Sequence, residues 1–253
     1  MARTNARRAG LNWRKYERPD ASMTISVIIP TYNEEQNIVC LIESLKKHGD
    51  DESREIIVVD GGSSDGTARL AAAAGAVVVK TAVRQRSVQM NLGAEKASGD
   101  VFYFVHADVV VEPDYVTDIS QSLSLGYESG CYRYRFNSNN LPLRINAFFT
   151  RFPFLWCRGG DQTLFITKEL FRNLGGFQEH YLIMEDYDII ERIKKKSSFR
   201  IMPRDIVVSA RKYDTNSYLR VQFANFLVFS LYFWGASQHR LASLYKKLLK
   251  TDQ

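Results

Sequence analysis

Cysteine is scarce in this sequence, and the little there is has nothing to pair with. Cys40, Cys131 and Cys157 are scattered through 253 residues, odd in number and without a CxxC pair. That pattern excludes a disulfide framework and a zinc ribbon and points to reduced thiols, so a cytoplasmic location is expected. Long apolar runs are also missing. The longest, FLVFSLYFW at 226–234, is about half of the roughly 20 residues a membrane-spanning helix needs. Residues 1–22 lack the apolar segment of a secretory signal. There is no internal repeat and no low-complexity linker. A glycine fingerprint is absent too: the first strand-like run ends in PTYNEEQN, without glycine, which excludes a dinucleotide site of the G-x-G-x-x-G type.

What is present is a globular composition, 45% hydrophobic and 25% charged, long enough for one large domain with a small appendage. The net charge of +6 is uneven. Residues 1–22 carry +4 (Arg3, Arg7, Arg8, Arg14, Lys15 and Arg18 against Glu17 and Asp20), and residues 238–253 carry +3 (Arg240, Lys246, Lys247 and Lys250 against Asp252). The remainder is close to neutral. Basic ends on a neutral body suit loose attraction to an anionic surface such as a membrane, and they do not suit a nucleic-acid reader. Residues 1–22 are expected to form a basic, disordered arm, and MTISVIIP from Met23 reads as a native start.

Hydrophobic patterning predicts strands at 24–29, 55–59, 77–80 and 101–105, alternating with helices, one of them across 85–97. Asn33 and Gln36 have capping-box spacing for the first helix. This alternation implies an α/β fold with a mostly parallel sheet flanked by helices. Further on, residues 131–136 and 162–166 read as strands and 114–124 and 186–196 as helices. Two strands are expected around Pro203. Residues 216–253 are expected to form a C-terminal helical extension, with two helices joined at Gly235, beyond a main domain at 23–215.

In open parallel sheets ligands bind beyond the carboxyl ends of the strands. Three strand ends here are polar: PTYNEE, DGGSSDG and HAD. His106 and Asp108, two apart, project to the same side if the strand continues. One carboxylate is enough for Mg²⁺ when phosphates and water complete its shell, so Asp108 is the candidate metal ligand. His106 is open to three roles: a ligand for Mn²⁺, a donor contact, or packing.

The ordered motifs SVIIPTYNEEQNI, EIIVVDGGSSDGT, RQRSVQMNLGAEKASGD, FVHADV, GDQTLFITKELFRNLGGF and LIMEDYDIIERI resemble the family 2 glycosyltransferases of GT-A (Rossmann-like) fold, over about residues 24–215. The set QMN, HAD, GDQ, MED and SAR is similar, more narrowly, to bacterial arsenosugar-biosynthesis-type glycosyltransferases. The resemblance implies transfer of one sugar from a nucleoside-diphosphate sugar, a UDP-sugar above all, to a small or lipid-linked hydroxyl acceptor, with inversion and with Mg²⁺ or Mn²⁺ as cofactor. It implies donor contacts from Pro30, Thr31, Tyr32, Glu34, Asp60, Arg86, Asn91, His106 and Arg211, and the metal on Asp108. Acceptor or sugar contacts are implied for Asp161, Gln162 and Glu185, and the base is implied to be Asp186. Many relatives carry an acidic residue after the Asp60 equivalent, where this chain has Gly61, which leaves the base open. The QxxRW motif of processive synthases is missing, so single transfers are expected. Residues 216–253 suit either peripheral membrane contact or a homodimer interface. The alternative to an enzyme is a non-catalytic nucleotide-sugar-binding or membrane-surface scaffold protein on the same fold.

Overall fold

The β-branched run ISVIIPT forms strand β1 (Ile25–Thr31), buried along its whole length. Strands β2 (Arg54–Asp60), β3 (Val77–Lys80) and β4 (Val101–Phe104) join it to make the parallel order β3-β2-β1-β4. These relations come from a computed structural model that describes residues 23–48, 54–111, 114–159 and 162–250. The expectations for residues 1–22 and for Asp161 lie outside the described residues. Beyond β4 the sheet becomes mixed. β7 (Leu164–Thr167) runs antiparallel to β4, and β6 (Ser129–Phe136) antiparallel to β7. β8 (Phe199–Val208) is parallel to β6, and the short β5 (Val109–Val110) closes the far edge of eight strands.

Two helical layers cover the sheet, as a sheet apolar on both faces requires. On one face, α1 (Ile38–Lys47), α2 (Thr67–Ala73) and α4 (Tyr115–Ser124) pack on Ile25, Val27 and Ile29. On the other, α3 (Arg86–Lys96), α6 (Lys168–Leu174) and α7 (Glu185–Lys196) pack around Ile28, Phe102 and Phe104. The helix α3 comes very close to the sheet. A Cβ on Gly93 would lie 2.4 Å from Ile28 Cγ2, a separation no side chain tolerates. That closeness lets the first half of α3 reach the ends of β1 and β2.

Two local expectations are corrected. The capping box at Asn33 does not form: α1 starts at Ile38, and Asn33 takes a left-handed conformation, φ 52°. Its carboxamide oxygen accepts from Ser64 N–H instead, at 2.9 Å. The two strands around Pro203 are one strand with a bulge, the register passing from Met202 to Asp205 between Tyr132 and Arg133. Proline has no N–H to give the ladder, and Arg133 bridges the gap by donating to Pro203 O and to Asp205, the latter at 2.8 Å. Helix α5 (Leu141–Phe149), a 3₁₀ turn at Leu155–Cys157 and the short α8 (Lys212–Thr215) were not expected. At the C-terminal end, α9 (Tyr218–Phe233) and α10 (Gln238–Leu248) flank Gly235 as expected and share a small core of Val221, Ala224 and Leu249.

Candidate active site

The ends of β1 and β2 are laced together by their own polar residues. Thr31 pairs with Asp60 in register, and Gly61 N–H donates to Thr31 O at 2.9 Å. Asp60 is buried (3% exposed) and accepts from Ser63 N–H at 3.1 Å and from the Ser63 hydroxyl. That hydroxyl oxygen also accepts from Asn33 N–H at 2.9 Å. Asp65 accepts from Thr67 N–H and Glu35 N–H at 3.0 and 3.2 Å. Burial works against its charge, but the hydrogen bonds from the Thr67 hydroxyl and from both backbone N–H groups hold its carboxyl below the usual range. Glu34 is held by Asn37 Nδ2 at 2.6 Å and faces Arg211 at 3.5 Å.

Three residues at this edge escape a motif reading. Gln89 is buried and its amide donates to both Thr31 O and Val59 O at 2.8 Å, clamping the two strand ends. A Cβ on Gly61 would sit 3.0 Å from that amide nitrogen, so the glycine that replaces the common acidic residue and the glutamine form one package. Arg84 lays its guanidinium 3.5 Å from the Tyr32 ring centroid, so one ring face is already stacked. Ser63 serves as the relay between Asp60 and Asn33. The signal available in sequence was only that polar residues cluster after each strand.

At the third strand end His106 is buried (5% exposed). Burial, reinforced by the charge of Arg86, pushes its imidazole well below the ordinary histidine range and keeps it neutral. The same guanidinium acts on Glu185 at the start of α7. Burial raises that carboxyl above the usual range, and Arg86 partly offsets the rise. Arg86 is therefore electrostatically coupled to both the HAD strand end and the ED helix start. Asp108 is half-buried, and among the described residues its carboxylate takes no hydrogen bond and no ion pair. A cavity of about 150 Å³ lies beside it, lined in part by Asn37, Cys40, Asn137 and Ser209. The described residues contain no cluster of three His, Cys, Asp or Glu able to hold a metal. An uncommitted carboxylate two residues along the chain from a neutral histidine fits a hard divalent cation that brings phosphate and water ligands with it.

The helix start carrying Asp186 is fixed from two sides. From α3, Asn91 donates to Phe177 O at 2.8 Å and to Glu179 at 3.0 Å, and accepts from Phe177 N–H at 2.9 Å. Its amide is thereby spent on the loop before α7. Gln85 adds a bond to Tyr181 O at 2.9 Å. From within α7, Arg192 pairs with Asp188 at 2.6 Å and donates to Leu174 O and Gly176 O at 2.9 Å each. Asp188 is thus structural. Asp186 stays half-buried in the first turn, where the helix end favours negative charge. Gln162 is 1% exposed, and among the described residues neither amide atom finds a partner.

Strain marks the same places. Among the described residues three non-glycines have positive φ: Asn33 (52°), Thr163 (63°) and Met184 (71°). Each adjoins a site candidate, respectively Glu34, Gln162 and Glu185. Such conformations cost about 1–3 kcal/mol each and concentrate at functional sites.

Against this geometry the comparisons are consistent. Residues 26–175 match the family described as Glycosyl transferase family 2. An uncharacterized glycosyltransferase of Haemophilus influenzae is 23% identical over 186 residues, 69% of this chain and 63% of the relative. The chain thus spans under two thirds of that relative's length. Among solved structures, S. aureus TarS 1-349 with UDP-GlcNAc aligns at TM-score 0.63 and 16% identity, over 89% of this chain and 71% of the other. A mannosyltransferase of Pyrobaculum calidifontis with GDP-Man and Mn²⁺ aligns at 0.62 and 20%, over 90% and 69%. Glucosyl-3-phosphoglycerate synthase of Mycobacterium tuberculosis with Mn²⁺ and UDP aligns at 0.55 and 20%, over 79% and 75%. These likenesses establish a GT-A fold. With the family match covering more than half of its length, the chain belongs to glycosyl transferase family 2.

Proposed function

We propose that the protein transfers a single sugar, with inversion, from a nucleoside-diphosphate sugar to a hydroxyl acceptor, aided by Mg²⁺ or Mn²⁺ at Asp108. One observation carries this reading: the charge of Arg86 reaches both His106 of the HAD strand end and Glu185 of the ED helix start, which supports placing Asp108 and Asp186, their neighbours in the chain, in one site. The solved relatives hold UDP-GlcNAc, GDP-Man, UDP and Mn²⁺, which supports the donor class and leaves UDP as the first base to test.

In this reading Asp60 and the Pro30–Glu34 loop face the nucleoside, and the open face of Tyr32 meets the base. Asp186 accepts the acceptor hydroxyl proton while its oxygen bonds to the anomeric carbon and the bond to the diphosphate breaks. Arg86 and Arg211 meet the charge on the departing diphosphate, Arg211 leaving Glu34 to do so. A divalent cation, when bound, neutralises that same leaving group. Asp161, Gln162 and Glu185 address sugar or acceptor hydroxyls. The orphaned amide of Gln162 supports this, because a buried unpaired amide costs about 1–3 kcal/mol until something takes its hydrogen bonds. Asn91 acts by holding the loop before Asp186 and makes no donor contact. The motif set also supports kinship with the arsenosugar-type subgroup, without fixing a substrate. Peripheral contact with a membrane by α9 and α10 fits a lipid-linked acceptor, and a dimer through those helices is the other use for them.

The test is thermal melting with UDP, GDP, UDP-GlcNAc and GDP-mannose, each with and without Mn²⁺. A ligand at 100 times its Kd stabilises by about 2.7 kcal/mol. Release of nucleoside diphosphate from the stabilising sugar nucleotide then reads turnover. Metal-dependent stabilisation with turnover supports the enzyme, and stabilisation without turnover in any acceptor mixture supports the scaffold alternative.

A further inference from the structure

Helix α5 is apolar on the wrong side. Leu143 and Ala147 face inward and are buried, as expected of a surface helix. The outward stripe should be polar, yet it reads Leu141 (63% exposed), Ile145 (50%) and Phe148 (47%), with Phe149 beside them. The chain then adds exposed Phe154 and Trp156, whose rings stack 5.8 Å apart. Helix α9 repeats the pattern: Val221, Ala224 and Val228 face in, while Leu219, Phe223, Phe226 and Phe233 form an outward stripe, followed by exposed Trp234. Of the fifteen exposed large hydrophobics among the described residues, eleven fall in these two stretches. Scatter does not produce that concentration.

The two arrays meet at the helix that carries Asp186. The ring of Tyr187 lies 5.5 Å from Phe229 of α9, and its hydroxyl lies 4.0 Å from where a Cβ on Gly159 would sit, just past the 3₁₀ turn. Charge says what covers them. Residues 141–156 contain Arg144 and Arg151, both exposed, and no acidic residue, and residues 211–250 contain seven basic residues against Asp214 alone. A second copy docking through this face in a two-fold interface would set cation against cation. A surface that offers anions beside an apolar layer meets both features.

We propose that the aromatic face built by residues 141–156 and α9 is a docking surface for an anionic lipid bilayer, on the side of the molecule where α7 begins. Aromatic and aliphatic side chains enter the headgroup boundary, and Arg144, Arg151 and the exposed lysines of α10 meet lipid phosphates. The surface extends the contact beyond the C-terminal helices to a segment that precedes β7. Its existence does not depend on the transfer chemistry. If that chemistry also holds, an acceptor anchored in the same leaflet would be presented to Asp186.

Co-sedimentation of the full chain with phosphatidylcholine vesicles, with and without phosphatidylglycerol, tests this. The protein should pellet with the anionic vesicles, and less so as salt is raised. Changing Phe148, Phe149, Phe154 and Trp156 together to serine should weaken binding at least about tenfold. Arg151→Ser should weaken it about fivefold, and this milder variant keeps the test decisive if the quadruple variant misfolds. Failure of the full chain to pellet would overturn the proposal, as would unaltered binding by both variants. Light scattering completes the test: a dimer that Arg151→Ser or the quadruple variant dissolves, with no vesicle binding, would assign the face to a second copy instead.

Discussion

The two halves of this chain solve the same problem in opposite ways. Through residue 110 the strand ends are closed by polar groups that satisfy one another at short range: Asn33 with Ser63 and Ser64, Asp60 with Ser63, Asp65 with Thr67, and Gln89 with two strand carbonyls. Beyond residue 129 two stretches, 141–156 and 219–234, expose aromatic and aliphatic side chains with cations near them instead. The first half is a preorganised pocket rim, stiff because each donor has its acceptor. The second is a face that gains from contact with something else. Asp108 and Asp186 are contributed one by each half, and Arg86 is coupled to both sides. Under the proposed function, the donor and acceptor sides of one site would be held by different physics.

The contrast can be broken at several points. Asp186→Asn removes the base while keeping size and shape. Nucleoside-diphosphate release in the presence of acceptor should fall about 10²–10⁴-fold, with the donor-induced stabilisation retained. Asn91→Ala cuts the ties between α3 and the loop before α7. It leaves the Phe177 backbone groups and Glu179 without partners, so stability should drop by about 1–3 kcal/mol, with kcat lowered and the donor-induced shift retained. Gly93→Ala drives a methyl into Ile28. Urea unfolding should show a loss of about 1–3 kcal/mol. Glu185→Gln is the mildest. The folded pKa of Glu185 is raised, so ionisation above the unfolded value of about 4.5 works against the fold. The variant should melt a few degrees higher than the parent at pH 8, about 2–4 °C per kcal/mol, and the advantage should vanish near pH 4.

Legibility in the sequence followed the same division. The first four strands and the helices between them were readable because each is a continuous apolar run between polar strand ends, and a parallel sheet demands that pattern. Asp60, His106 and Asp108 stand out as candidates because they follow such runs directly. Gln89 and Arg84 were not, since a glutamine inside a helix carries no local sign that it reaches two carbonyls across the helix–sheet gap. Asn33 misled because its spacing to Gln36 satisfies a helix cap equally well. The bulge at Pro203 was read as a break for want of knowing that Arg133 spans it. Helix α5 went unread because its apolar residues fall on both faces, which blurs the 3.6-residue period that reveals a surface helix.

A nucleoside diphosphate held at the converged strand ends through a metal on Asp108 is the core of the proposed function. Melting of the protein and of Asp108→Ala with UDP, with Mn²⁺ and with both tests it most directly. UDP and Mn²⁺ together should raise the melting temperature of the parent well beyond either alone, and Asp108→Ala should lose this synergy while keeping its ligand-free stability. Equal synergy in the variant, or none in the parent with either UDP or GDP, would contradict it.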